Sequence, residues 1–212
     1  MKIKWLGHSC FLLTADNGVR VLTDPFDSSV GYEVPDVAAD IVSTSHKHSD
    51  HNYTQAVQGE FFHIDKTGKF FHKGIEIIGV ATFHDEEGGA QRGKNTIYKF
   101  IVDGLHICHC GDLGHILTPE QRQEIGPVDI LLIPVGGFYT IGPDQAVEVA
   151  KMLQPSVIIP MHFKTEPIQY PIAGVESFLQ KIGGGKRVGK QEVEYDKASM
   201  ASVSNVVVLD YA

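Results

Sequence analysis

Two turn signals set the terms on which this chain can fold. Asp16-Asn17-Gly18 separates the short apolar runs 10–14 and 19–23, and Asp103-Gly104 separates 96–102 from 105–110. Asn-Gly and Asp-Gly supply the positive φ angles of tight hairpins, so each pair of runs reads as two antiparallel strands. Both second strands end near an aspartate: Asp24 ahead of Pro25, and Asp112 behind Gly111. A strand at 3–6 precedes the first hairpin, and another at 75–83 precedes the second.

After each hairpin the pattern changes to strand and helix in alternation. In the first half, a brief strand at 40–44 is followed by a predicted helix over 52–58. In the second, Thr118-Pro119-Glu120-Gln121 combines an N-cap, a proline at the first helical position and a capping-box glutamine, with Gly126 as the stop. A buried strand at 129–135 follows. Ala146, Val149, Ala150 and Leu153 then lie on one helical face, 157–161 is a second buried strand, and Val175, Phe178, Leu179 and Ile182 mark a last helix. Residues 206–211 close the chain as a strand, and Gly183-Gly184-Gly185 with the polar stretch behind it reads as a loop. Apolar strands buried on both faces require two sheets packed together with helices outside. The fold class is therefore α/β, a four-layer αββα sandwich, and the 212 residues, 42% apolar, suit a single domain over 1–212.

Composition narrows the function classes. The formal charge is −8, and basic residues cluster only at 186–190, which argues against a nucleic-acid surface. No run approaches the roughly 20 apolar residues of a membrane span, and residues 11–13 are too short for a signal-peptide core, so neither membrane nor export is expected and the location reads as cytoplasmic. Three cysteines, Cys10, Cys108 and Cys110, are an odd count that fits a reducing compartment better than a disulfide framework. Homo-oligomerisation is left open.

The strand at 40–44 delivers the chain into Ser43-Thr44-Ser45-His46-Lys47-His48-Ser49-Asp50-His51. In an extended segment His46 and His48 project to the same side and can grip one ion, while Asp50 and His51 turn toward a neighbouring position. One peptide could thus serve two ions. His84, Asp112 and His162 each stand where another apolar strand gives out, the ordinary place for loop-borne chemistry.

His46-Lys47-His48-Ser49-Asp50-His51, with His84, Gly111-Asp112 and Met161-His162, resembles the metallo-β-lactamase superfamily over nearly the whole chain. Within it, Gly7-His8-Ser9-Cys10-Phe11, Thr23-Asp24-Pro25, Arg92-Gly93-Lys94-Asn95-Thr96 and Pro160-Met161-His162 are similar to the small cytoplasmic hydrolase branch related to ascorbate-6-phosphate lactonase. The resemblance implies that His46, His48 and His84 hold one metal ion, Asp50, His51 and His162 a second, and that Asp112 bridges them. Imidazole and carboxylate donors suit Zn²⁺, Mn²⁺ or Fe²⁺. Two such ions can share a water, lower its pKa and polarise the bond it attacks, with Asp50 as a guide or proton carrier. The expected activity is hydrolysis of a small anionic ester, lactone or phosphodiester by a metal-bridging hydroxide.

Asp24 reads either as a carboxylate that orients a metal-bound imidazole or as a cap for the turn at Pro25, and His8 is open in the same way. Arg92, Asn95, Tyr139 and Lys164 are candidate substrate contacts or simply solvated. Cys108 and Cys110 read as core, on the strand face opposite His109. Two other functions compete: a nuclease of the same superfamily, against which the acidic balance and the missing basic arm between Asp112 and His162 count, and a non-catalytic module using metal to fold or to sense a ligand. Structural zinc sites are usually rich in cysteine, which this donor set is not.

Overall fold

The computed structural model describes residues 1–198, 200 and 206–211. Its first sheet is built from β1 (Lys2–Gly7), β2 (Cys10–Thr14), β3 (Arg20–Thr23), β4 (Ile41–Ser43) and β5 (Phe62–Ile64). The second begins with β6 (Gly68–His72), β7 (Ile75–Phe83), β8 (Lys94–Val102) and β9 (Leu105–His109). Then come α1 (Pro119–Ile125), β10 (Ile130–Pro134), α2 (Pro143–Leu153), β11 (Val157–Met161) and α3 (Glu176–Ile182). Three short strands, β12 (Lys186–Arg187), β13 (Glu192–Glu194) and β14 (Val207–Val208), finish the described chain.

Strand order is β13-β1-β2-β3-β4-β5 in one sheet and β11-β10-β9-β8-β7-β6 in the other. In each, a hairpin (β2–β3 or β8–β9) is antiparallel, and the next strand, β4 or β10, joins it in parallel. The parallel connection obliges the chain to cross over before pairing again, which is why the hairpins are followed by longer excursions. Pleat alternation explains the layering. Phe11, Val21 and Ile41 face the core between the sheets, whereas Cys10, Leu22 and Val42 face a second apolar cluster with Phe26, Val30 and Tyr32 on the outer side.

The two sheets pack face to face with further layers outside, the αββα arrangement expected. It is asymmetric: α1, α2 and α3 bury Ile125, Ala146, Val149 and Phe178 against the second sheet, while the first is covered by coil and by single 3₁₀ turns at Ser28–Val30 and Thr54–Ala56. Among the described residues no helix is long and apolar enough to cross a membrane.

Three expectations need correction. The helix over 52–58 is only the turn Thr54–Ala56, since Asn52, Tyr53, Thr54 and Val57 are weak helix formers. Neighbouring loops also claim its backbone, Tyr53 N–H donating to Pro25 O at 2.8 Å and Gln58 N–H to Val37 O at 3.0 Å. The polar stretch after Gly185 is not all loop: β12 pairs with β14, and β13 adds to the edge of β1 with Ile3 opposite Val193. The strand expected over 206–211 is only Val207–Val208 with a bridge at Val206, and β5 and β6 form where no strand is expected, because their burial does not alternate cleanly.

Candidate metal centre

Chemistry-bearing side chains gather where strands from both sheets end together. The chain leaves β4 into the 45–51 loop, β7 ends before His84, β9 runs out two residues before Gly111-Asp112, and β11 delivers His162. His8 occupies the two-residue link between β1 and β2, beside a register shift at Trp5 and Gly7. His8, Asp24 and His162 adopt φ angles of 50°, 41° and 49°, a strained left-handed conformation that tends to collect at functional sites. The 45–51 segment is bent rather than extended, so His46 and His48 meet by a turn and not by pleat alternation. His46 Nε2 lies 3.0 Å from His48 Nδ1, and His51 N–H donates to His48 O at 3.0 Å.

Asp112 sits at the middle. Its Oδ2 is 3.1 Å from Nε2 of His84, 3.2 Å from His51, 3.5 Å from His162 and 3.9 Å from His46. Asn95 Oδ1 accepts from Asp112 N–H at 2.9 Å, and the Asn95 amide donates to Thr82 Oγ1 and Cys110 O. Gly111 permits this placement with φ +54°, and a β-carbon there would fall 2.5 Å from Asn95 Oδ1 and Ser45 Cβ. Asp24, buried below, accepts from His51 Nδ1 at 2.9 Å, from Ser45 N–H at 2.8 Å and from the Ser45 hydroxyl at 2.6 Å. That contact directs His51 Nε2 toward Asp112, so Asp24 orients an imidazole rather than capping Pro25.

The donor set fits divalent metal ions. Three groups place one donor atom per residue within 4.8 Å of one another: His46, His48 and His84; His46, His51 and Asp112; and His8, His51 and His162. Inside this cluster His51 Nε2, Asp112 Oδ1 and both ring nitrogens of His8 are buried without a hydrogen-bond partner, an arrangement that costs stability unless something else satisfies them. Burial and the neighbouring His51 push His46 down to about 3, and burial and His162 push His8 down to about 4, leaving both neutral as ligation requires. Burial opposes a charge on Asp112 as well, yet His162 and His51 hold its carboxyl well below the usual range. Burial likewise lowers His51, but Asp112 and Asp50 outweigh it and raise the ring well above its ordinary value. The positive charge those carboxylates demand is what a bound cation supplies.

A family profile described as a beta-lactamase superfamily domain matches residues 2–162. The chain belongs to the metallo-β-lactamase superfamily. A UPF0173 metal-dependent hydrolase of Thermoplasma acidophilum is 30% identical over 78% of this chain and 84% of its own. Another, of Thermococcus onnurineus, is 28% identical over 88% and 93%. Among solved structures, a candidate Zn-dependent hydrolase of the superfamily from Thermotoga maritima is 43% identical and covers 100% of this chain and 99% of its own at a TM-score of 0.84. A metallo hydrolase of Ignicoccus hospitalis shares the fold at 24% identity, 92% and 99% coverage and a TM-score of 0.68. Within the superfamily, this chain is one of the metal-dependent hydrolases.

Like the candidate metal ligands, the wall of this site comes from distant segments. A cavity of about 290 Å³ opens above His48, Asp50, His84, Asp112 and His162. Arg92, Tyr139 and Tyr170 complete it, the Arg92 guanidinium lying 5.6 Å from the Tyr139 ring centre. Two candidate substrate contacts are corrected. Lys164 is off this wall, its ammonium donating to the carbonyls of Ile168 and Tyr170, so it braces the loop that carries Tyr170. The Asn95 amide is engaged at both ends, Oδ1 accepting from Asp112 N–H and Nδ2 donating to Thr82 Oγ1 and Cys110 O, which makes it a positioning residue. Sequence reasoning missed Tyr170, which no local pattern distinguishes, and His109, whose Nδ1 accepts from Gly111 N–H while Nε2 donates to Ser9 O at 2.7 Å. Cys108 and Cys110 are buried free thiols.

Proposed function

We propose that this chain is a dinuclear metal-dependent hydrolase of a small anionic ester, lactone or phosphodiester. The observation that carries the reading is the single Asp112 oxygen faced by imidazoles from the His46–His51 loop, His84 and His162. His46, His48 and His84 would hold one ion, Asp50, His51 and His162 the other, with Asp112 between them and His8 within donor reach of the second. Two divalent ions, when bound, would supply an activated water and an electrophile for the scissile group.

The protein's own groups account for the rest. Two carboxylates against two divalent charges leave the site net positive, which favours an anionic substrate and a developing oxyanion. Arg92, backed by the Tyr139 ring, offers a planar fork to a carboxylate or phosphate at the cavity wall. Asp50 lies on that wall with Oδ2 3.4 Å from His8 Nε2 and 3.7 Å from His51 Nε2. Burial works against its charge, but His51 and His8 keep it ionised, so that it would act as a hydrogen-bond acceptor that orients the attacking water. Full-length protein assayed on a chromogenic phosphodiester and on a lactone, chelated and then reloaded with Zn²⁺ or Mn²⁺, tests the reading. Turnover that returns with metal is expected. Protein carrying two ions per chain that hydrolyses neither substrate would favour the non-catalytic module.

A further inference from the structure

A second cavity, about 650 Å³, lies alongside the one over the metal ligands and shares His48 and Arg92 with it. It forms where the two sheets meet beside the site, with the end of β7, Ala81 to Phe83, as one wall. Its volume is that of a pocket for a drug-sized ligand. Four cations reach it from three segments: Lys47 in the metal-ligand loop, Lys66 between β5 and β6, and Arg92 with Lys94 at the start of β8. Asp65 is the one carboxylate on its wall, and among the described residues none of the four cations forms an ion pair. In a chain with a formal charge of −8, this is a local reversal of sign. Unpaired lysines around one concavity raise the local concentration of anions. Ala81, Phe83 and the methylene stems of the lysines add apolar surface beneath those charges.

We propose that this cleft is a second anion subsite, which takes the non-reacting end of the substrate: a carbon body ending in a phosphate or carboxylate, remote from the group that lies over the metal ligands. It rests on the hydrolase reading for the position of the reacting end. Two anionic groups on one molecule would then be held by two separate positive regions, with Arg92 at the boundary between them. Tethering makes the second contact effectively intramolecular, so a doubly anionic ligand of the right length gains affinity without any new type of interaction.

The test uses metal-loaded full-length protein and isothermal titration with α,ω-alkanediphosphonates of three to six carbons, each compared with the alkylphosphonate of equal length. At the best length the diphosphonate is expected to bind at least tenfold more tightly. In Lys66→Gln/Lys94→Gln, both positions being exposed, that advantage is expected to fall to within twofold, with alkylphosphonate affinity and metal content unchanged. Equal affinity of both probes at every length in the wild type overturns the proposal, as does an advantage that survives the double substitution. Loss of affinity for both probes together also overturns it, by placing the two lysines at the metal centre itself. Failure of the hydrolase reading shows separately, as absent turnover of both the phosphodiester and the lactone.

Discussion

Asp24 and Asp112 are both buried carboxylates beside His51, but they act on opposite sides of the ring. Asp24 holds Nδ1 and sets the direction of Nε2, while Asp112 faces Nε2 and three other imidazoles. Asp24→Ala removes orientation and is expected to weaken metal binding about 10- to 100-fold, as loss of such a supporting carboxylate does elsewhere. Asp112→Ala removes the charge on which the donor set converges, so kcat/KM should fall at least a further tenfold. Parallel metal titrations and kinetics of the two variants check this, and equal losses would overturn the bridging role proposed for Asp112. His8 supports a second prediction at this scale. Its ring lies tilted against His162 and His51, with centres 4.2 and 4.8 Å away, and neither of its nitrogens has a hydrogen-bond partner, so His8→Ala should lower the affinity of one metal equivalent about tenfold and spare the other. Two equivalents bound as in the wild type would make His8 a packing residue only.

The loop between β7 and β8 shows how an element places a reactive group. Asp85, next to His84, accepts backbone N–H bonds from Glu87, Gly89, Gln91 and Arg92 at 2.7–3.0 Å. Burial works against its charge, but those donors hold it down to about 2, so it is ionised under ordinary conditions. Asp85→Asn keeps one acceptor and loses the charge. Arg92 then loses its fixed position, and KM for an anionic substrate is expected to rise about tenfold with kcat within twofold; steady-state kinetics alongside metal analysis would show it, and an unchanged KM would free Arg92 of a binding role. Elements of this kind differ in how far the sequence betrays them. The Thr118 capping box is present as read, with Thr118 Oγ1 accepting from Gln121 N–H and Gln121 Oε1 from Thr118 N–H, because its partners are three residues apart. The ends of β4, β7 and β11 were legible as places where apolar runs stop, and the metal-ligand candidates with them. What local pattern could not carry was long-range. The pairing of β13 with β1 and the locking of Asn95 against Asp112 are both settled by tertiary neighbours.

Across the molecule, the donor atoms belong to both sheets: His46, His48 and His51 follow β4 of the first, whereas His84, Asp112 and His162 follow strands of the second. Ions held by this set would join the sheets at one end, where burying so many polar atoms otherwise weakens the packing. The sheets have other ties there. Thr96 N–H donates to Ser45 O at 2.9 Å, His109 reaches Ser9 O, and the core of Trp5, Phe11, Phe100 and Ile107 lies between them. Removing metal should therefore lower stability without opening the fold. Chelated protein is expected to unfold at a lower urea concentration with an unchanged m-value, since m follows the surface exposed on unfolding. Adding Zn²⁺ or Mn²⁺ to 100 times its dissociation constant should restore about 2.7 kcal/mol per site, the amount mass action gives a ligand that binds only the folded state. His48→Ala and His162→Ala, one from each sheet, should each lose part of that gain. If the urea midpoint of wild-type protein did not respond to either ion, the metals would not be joining the sheets, and the unpartnered donors of His8, His51 and Asp112 would have to be satisfied in some other way.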